Sequence, residues 1–203
     1  MAVAPLTKPC HKSVITEEGF PNLLESGCKY ELVDGELDEV PTSFLHDVII
    51  GNIAARMFAI GNGRGYFAPG QGGFRMVAPN TIRCPDFAFK RKEGLPGGVP
   101  PNTLGDEAPD LCVEVISSSE RGSQMERKVR EYFASGAKLV WHTFPETRRI
   151  VVFTSPDEQR TDEADDEIDA GELLPGVRVR VGELFEVEQD RFSNAVLTTG
   201  RRF

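Results

Sequence analysis

A chain of 203 residues with 39% hydrophobic and 27% charged residues is sized for one soluble domain and is cramped for two. No stretch nears the ~18 consecutive apolar residues of a membrane span. The formal net charge of −9 argues against a protein that coats nucleic acid non-specifically, because phosphate contacts need Lys and Arg.

That charge is local. Residues 157–172, DEQRTDEADDEIDAGE, hold nine acids against the single base Arg160, and the remainder of the chain is near neutral. The acid excess therefore weakens a nucleic-acid reading without ending it. The start, MAVAPLTKPCHKS, lacks the apolar core of a secretory signal, so a cytoplasmic location is expected. Cys10, Cys28, Cys84 and Cys112 are scattered without a C-x-x-C pair, and His11, His46 and His142 show no H-E-x-x-H spacing. Reduced, buried thiols are expected rather than a disulfide framework or a zinc site, and a zinc hydrolase is excluded.

Residues 1–15 read as an extended arm, 16–190 as a single domain and 191–203 as a tail. A short helix interrupted near Pro21 is predicted between Thr16 and Gly27. The runs 29–33 and 36–40, joined by Asp34-Gly35, predict a tight hairpin. Ser43 caps a predicted helix to about Ile60, with Leu45, Val48, Ile49, Ile53, Met57 and Ile60 inward and Gly61 or Gly63 past its end. Strands are predicted at 65–68, 73–77 and 81–91, and the Gly/Pro-rich stretch 92–109 reads as a long functional or mobile loop. The strand 111–116 precedes Ser117-Ser118-Ser119 and a helix ending at Gly136. Strands at 138–143 and 149–154, then alternation over 177–181, complete a mixed α/β chain with no internal repeat.

Two strand-like runs each carry one carboxylate, and an ionised carboxylate is costly to bury without a partner. Alternation puts Glu114 on one face of its strand with Cys112 and Ile116. Taken alone, Glu114 reads equally as a core-edge acid paired with an arginine, and Asp86, following Pro85, as a turn residue. In the helix after Glu114 the apolar side is Met125, Val129, Tyr132 and Phe133, and Lys128 flanks it. Lys128 either snorkels there or reaches back toward Glu114. The hairpin adds Glu31, Glu36 and Asp38 on one face, a solvated surface or the source of a further acid for a hard cation such as Mg²⁺.

In order, Tyr30-Glu31-Leu32-Val33-Asp34-Gly35, His46, Pro85-Asp86, Val113-Glu114-Val115-Ile116-Ser117 and Lys128 with Tyr132 and Gly136 resemble the Uma-two family of restriction-endonuclease-like proteins, over roughly residues 16–185. The resemblance implies the PD-(D/E)xK nuclease fold, a mixed β-sheet flanked by helices, here with an additional N-terminal hairpin. It implies a metal-dependent endonuclease in which Asp86 and Glu114 bind Mg²⁺, with Mn²⁺ as a substitute. The position of the usual motif lysine is Ile116, and the resemblance implies that Lys128 replaces it, with Glu31 or Glu36 as accessory acid. The family's Asp in the next strand is missing from Val140-Trp141-His142-Thr143-Phe144-Pro145, and its Ser-Pro-Ser is Ser117-Ser118-Ser119.

Nucleic acid is the expected partner, DNA before RNA, with no membrane partner and a homodimer left open. The rival reading is a nuclease-fold binding or regulatory module with little activity. On the first reading Asp86 and Glu114 converge across neighbouring strands. The acidic segment then projects away as a mobile loop or hairpin tip, and Lys90, Arg91, Lys92, Arg127 and Arg130 lie nearer the cleft mouth.

Overall fold

The chain changes sheets at Pro85. In the computed structural model, which describes residues 15–187 apart from positions 22, 24–28, 41, 62, 71 and 119, β5 (Ile82–Arg83) precedes this proline and β6 (Phe87–Arg91) follows it. β5 lies in a four-stranded sheet ordered β2-β1-β5-β4, with β1 (Tyr30–Val33), β2 (Glu36–Glu39) and β4 (Phe74–Arg75). β6 lies in a six-stranded sheet ordered β10-β9-β8-β7-β6-β3. Its other members are β3 (Gly65–Pro69), β7 (Leu111–Val115), β8 (Leu139–Phe144), β9 (Arg149–Ser155) and β10 (Glu158–Asp162). The single strand predicted over 81–91 is thus two. Pro85 has no N–H to give a ladder, and the Cys84 N–H is spent on the Glu31 side chain at 3.1 Å.

The hairpin forms as predicted, with Glu31 opposite Asp38 and Val33 opposite Glu36. Asp34 (φ 53) and Gly35 (φ 81) take the positive φ values that a two-residue turn of this hand needs. Before it, the N–H groups of Gly19 and Phe20 bond to the Thr16 carbonyl, and Phe20 is buried. The rest of that predicted helix lies largely outside the described residues. So do the arm up to residue 14, the tail, and Cys10, Cys28, His11 and Ser119.

Helix α1 (Phe44–Gly61) starts at Ser43, whose Oγ accepts the His46 N–H at 3.2 Å. Ile49, Ile53 and Met57 recur at one-turn spacing and are buried, joined by Ile50 and Ala54. Leu45, expected inward, is 49% exposed. Gly61 belongs to the helix, and Gly63 (φ 88) is the glycine past its end.

Helix α2 (Gly122–Ala134) begins later than the serine run suggested. It ends in bonds from Gly136 N to Phe133 O and from Ala137 N to Tyr132 O, with Gly136 at φ 107. A side chain would resist that conformation, which is why a glycine closes the helix.

The two helices cover opposite faces of the six-stranded sheet. Val113, Trp141 and Val152 are register partners and share the α1 side with Phe87, Phe89 and Leu111 in the largest apolar cluster. Cys112 and Val140 share the other side with Val129 and Tyr132 of α2.

The acidic segment corrects an expectation. It is no free loop: β10 is an edge strand, and β11 (Glu167–Ala170) pairs with β12 (Leu174–Arg180) before the short α3 (Val181–Leu184). In Glu167-Ile168-Asp169-Ala170 the period-two pattern buries Ile168 and Ala170 in the large cluster while the acids face out. Replacing the segment with a flexible linker would remove part of the core.

Candidate metal and phosphodiester site

The sheet change delivers Asp86 to the end of β6. Antiparallel register pairs Phe87 with Val113, so one step further sets Asp86 opposite Glu114, and parallel register sets Glu114 beside His142. Both carboxylates are buried.

Asp86 Oδ2 accepts the Val115 N–H at 2.7 Å and lies 3.1 Å from His46 Nε2, while Oδ1 pairs with Lys29 Nζ. Glu114 Oε2 lies 3.1 Å from Lys128 Nζ, and its Oε1 accepts the Tyr132 hydroxyl at 2.5 Å. Lys128 therefore reaches back over the sheet instead of snorkelling. Its side chain is carried there by the same helical stripe that buries Val129 and Tyr132.

Of the hairpin acids left open, Glu31 enters the cluster and Glu36 does not. β1 is an interior strand and Glu31 is 2% exposed, whereas β2 is an edge and Glu36 is exposed. Arg83 Nη1 donates to Glu31 Oε2 at 2.7 Å, and Lys128 Nζ lies 3.5 Å from the same oxygen. Arg83 Nε also donates to Glu131 Oε2 at 2.7 Å. Arg127 then links Glu131, at 2.6 Å, to both oxygens of Asp34 at 2.8 Å. A chain of ion pairs thus fastens the hairpin turn to α2.

Lys29 and Arg83 went unread in the sequence. Lys29 stands two residues before Glu31, so strand alternation alone marks it as a same-face neighbour. Arg83 faces Glu31 through the β1–β5 pairing that sets Leu32 opposite Ile82, which no local pattern reveals.

Burial and charge set the protonation states. Burial pushes Asp86 up, but the His46 hydrogen bond and the Lys29 and His46 charges outweigh it and hold the carboxyl well below its ordinary range. Glu114 is raised, since burial together with the nearby Asp86 and Glu31 charges exceeds the pull of Lys128. Burial opposes the charge on Lys128, yet Glu114 and Glu31 hold it well above the ordinary ammonium range. Burial, with the Lys128 charge, depresses His142 to about 4. Paired carboxylates whose environments push them apart are a recurrent feature of active sites.

The basic residues expected at the cleft mouth do not gather there. Lys90 and Arg91 sit four and five residues beyond Asp86, roughly 13–16 Å along an extended strand, and pair with Glu107 and Asp110. Lys92 lies over the Tyr66 ring, and Arg130 pairs with Asp157 of the acidic segment at 3.1 Å. Arg127 alone of the five adjoins the site, and its charge is matched by Glu131 and Asp34. A separate cleft of about 1080 Å³ lies between β3 and the 92–109 loop, lined by Tyr66, Phe74, Leu95, Pro100 and Glu107 but by none of Asp86, Glu114 and Glu31.

Among the described residues, no three His, Cys, Asp or Glu side chains are grouped as metal ligands. The chemistry nevertheless fits Mg²⁺, which takes oxygen donors, keeps several waters and often uses only one or two carboxylates. Asp86 and Glu114 would supply those oxygens, and the protein donors now on them would have to yield.

A family model described as "Putative restriction endonuclease", Uma2, matches residues 18–182. The chain belongs to that family. The fold of this Uma2 chain is similar to that of a crystal structure of "a putative nuclease belonging to DUF820" from Anabaena variabilis, with a TM-score of 0.73 and 17% identity over 84% of this chain and 97% of that one. At that identity the likeness shows the nuclease-like mixed α/β fold alone. No curated protein matches the chain. Among the described residues no helix of this Uma2 protein is long and apolar enough to cross a membrane.

Proposed function

We propose that this Uma2 protein is a metal-dependent endonuclease that hydrolyses phosphodiester bonds of nucleic acid, DNA in preference to RNA. The observation that carries the reading is the Asp86–Glu114 pair at the end of adjacent strands, with the Lys128 ammonium between Glu114 and Glu31. Asp86 and Glu114 would hold Mg²⁺ or Mn²⁺, which supplies Lewis acidity toward a phosphodiester oxygen.

The chain's own residues do the rest. Tyr132 and Lys128 fix the Glu114 rotamer, and His46 and the Val115 N–H fix Asp86. Lys128, held firmly protonated, stabilises negative charge developing on the phosphate and is no general base. The Glu31–Arg83–Glu131 chain keeps α2 and its lysine in place.

The test is cleavage of linear DNA and RNA with Mg²⁺ or Mn²⁺ against a chelator. Glu114→Gln, which keeps shape and removes charge, is expected to lower cleavage by about 10³-fold, roughly 4 kcal/mol of barrier. Lys128→Ala should also lower cleavage while leaving metal affinity unchanged or raised. Equal cleavage by wild type and Glu114→Gln would sink the assignment. The reading of a nuclease-fold binding module is favoured by one observation: every oxygen of Asp86 and Glu114 already faces a protein donor. Metal-independent nucleic-acid binding without cleavage would establish it.

A further inference from the structure

The buried acids of the site already have cationic partners before any metal arrives. Asp86, Glu114 and Glu31 face Lys29, Lys128 and Arg83, and all six are nearly inaccessible to solvent. Adding a divalent cation to such a cluster leaves unpaired positive charge in a low-dielectric setting, which is expensive. One resident cation must give way.

The three cations are not held alike. Lys128 lies within ion-pair distance of Glu114, Glu31 and, at 3.9 Å, Glu120. Arg83 is shared between Glu31 and Glu131. Lys29 has one carboxylate in contact among the described residues, Asp86, which is itself the candidate metal ligand. Once Asp86 and Glu114 turn to a metal, Lys29 loses its one close partner, whereas Lys128 still has Glu31 and Glu120 and Arg83 keeps both of its acids. Lys29 also stands one residue before β1 on a flexible four-carbon stem, so its ammonium can leave without disturbing the ladder.

We propose that Lys29 is an internal counter-ion that occupies Asp86 in the metal-free protein and is displaced by the divalent cation. The inference rests on the metal-dependent reading above. It assigns Lys29 a positioning role: holding Asp86 ionised and oriented until metal binds.

Calorimetric titration of Mn²⁺ and Mg²⁺ into wild type, Lys29→Met, Lys29→Arg and Asp86→Asn tests it without any substrate. Lys29→Met should bind about tenfold or more tightly, because the metal no longer displaces a buried, paired ammonium. Lys29→Arg should bind no more tightly than wild type, and Asp86→Asn should lose binding. Equal affinities for wild type and Lys29→Met, or weaker binding by the latter, would overturn the role of Lys29 and leave the metal site standing. Absence of binding to wild type and both Lys29 variants would overturn the metal reading and this inference with it. A second measurement needs no variant that could misfold. In the unmodified protein, acylation of Lys29 by an amine-reactive ester, followed by mass spectrometry, should speed up in saturating Mg²⁺, with the buried Lys90 as the unaffected control. An unchanged Lys29 rate would refute the displacement.

Discussion

The two faces of the six-stranded sheet are built on opposite principles. Toward α1, Phe87, Val113, Trp141 and Val152 form an uninterrupted apolar row, part of a cluster that extends through β11 and β12 to α3. Toward α2, the next row along the same strands reads Asp86, Glu114, His142 and Val151, and the apolar cluster beside it is small. Adjacent residues in a strand point to opposite faces, so a single register serves both. One face stabilises the fold by removing apolar surface from water. The other spends part of that stability on desolvated charge, which is tolerable because each charge has an opposite partner within about 3 Å.

The contrast breaks most sharply at Trp141. Trp141→Ala should cost about 3–5 kcal/mol in denaturant unfolding, through lost burial and the cavity left behind. In molecules that remain folded it should leave the metal affinity of the other face unchanged. A loss of metal binding larger than the loss of folded protein would show that the faces are not independent.

His142 sharpens the comparison from the charged side. It is buried beside Glu114, and its folded-state pKa of about 4 lies below the ordinary histidine value of 6.5. Between those values the unfolded chain binds a proton that the folded chain refuses, so stability falls as pH drops from about 6.5 to 4. The full contribution is about 3 kcal/mol. Measured against wild type over that window, His142→Leu should show a correspondingly shallower acid loss. Parallel pH curves would mean that His142 does not titrate as described.

The smallest effect belongs to the exposed Arg130–Asp157 pair, where α2 meets the acidic segment. Arg130→Ala should change stability by less than about 0.5 kcal/mol, and less still in high salt. A larger change would mean that the acidic segment braces α2 and, through it, Lys128.

Local pattern carried some of these features and not others. The hairpin was legible because Asp34-Gly35 has few other uses between alternating runs, and α1 because Ser43 and the Ile49–Ile53–Met57 spacing agree. The acidic segment misled because composition was weighed above alternation: Ile168 and Ala170 are few, yet they sit at every second position. The strand 81–91 misled for another reason: Pro85 marks a break at Asp86, but nothing local shows that the chain leaves one sheet for another there.

By itself the sequence determined residue types and their local facing: that Glu114 shares a face with Cys112, and that Lys128 flanks the buried stripe of its helix. Those facts depend on periods of two and 3.6 residues, which any short segment expresses. Only the tertiary structure decided which charges meet. Lys29 on Asp86, Arg83 between Glu31 and Glu131, and the choice of Glu31 over Glu36 depend on pairings between segments some 50 residues apart. Strand order and register fix such pairings, and these are set by how the whole core closes, so no window of sequence contains them.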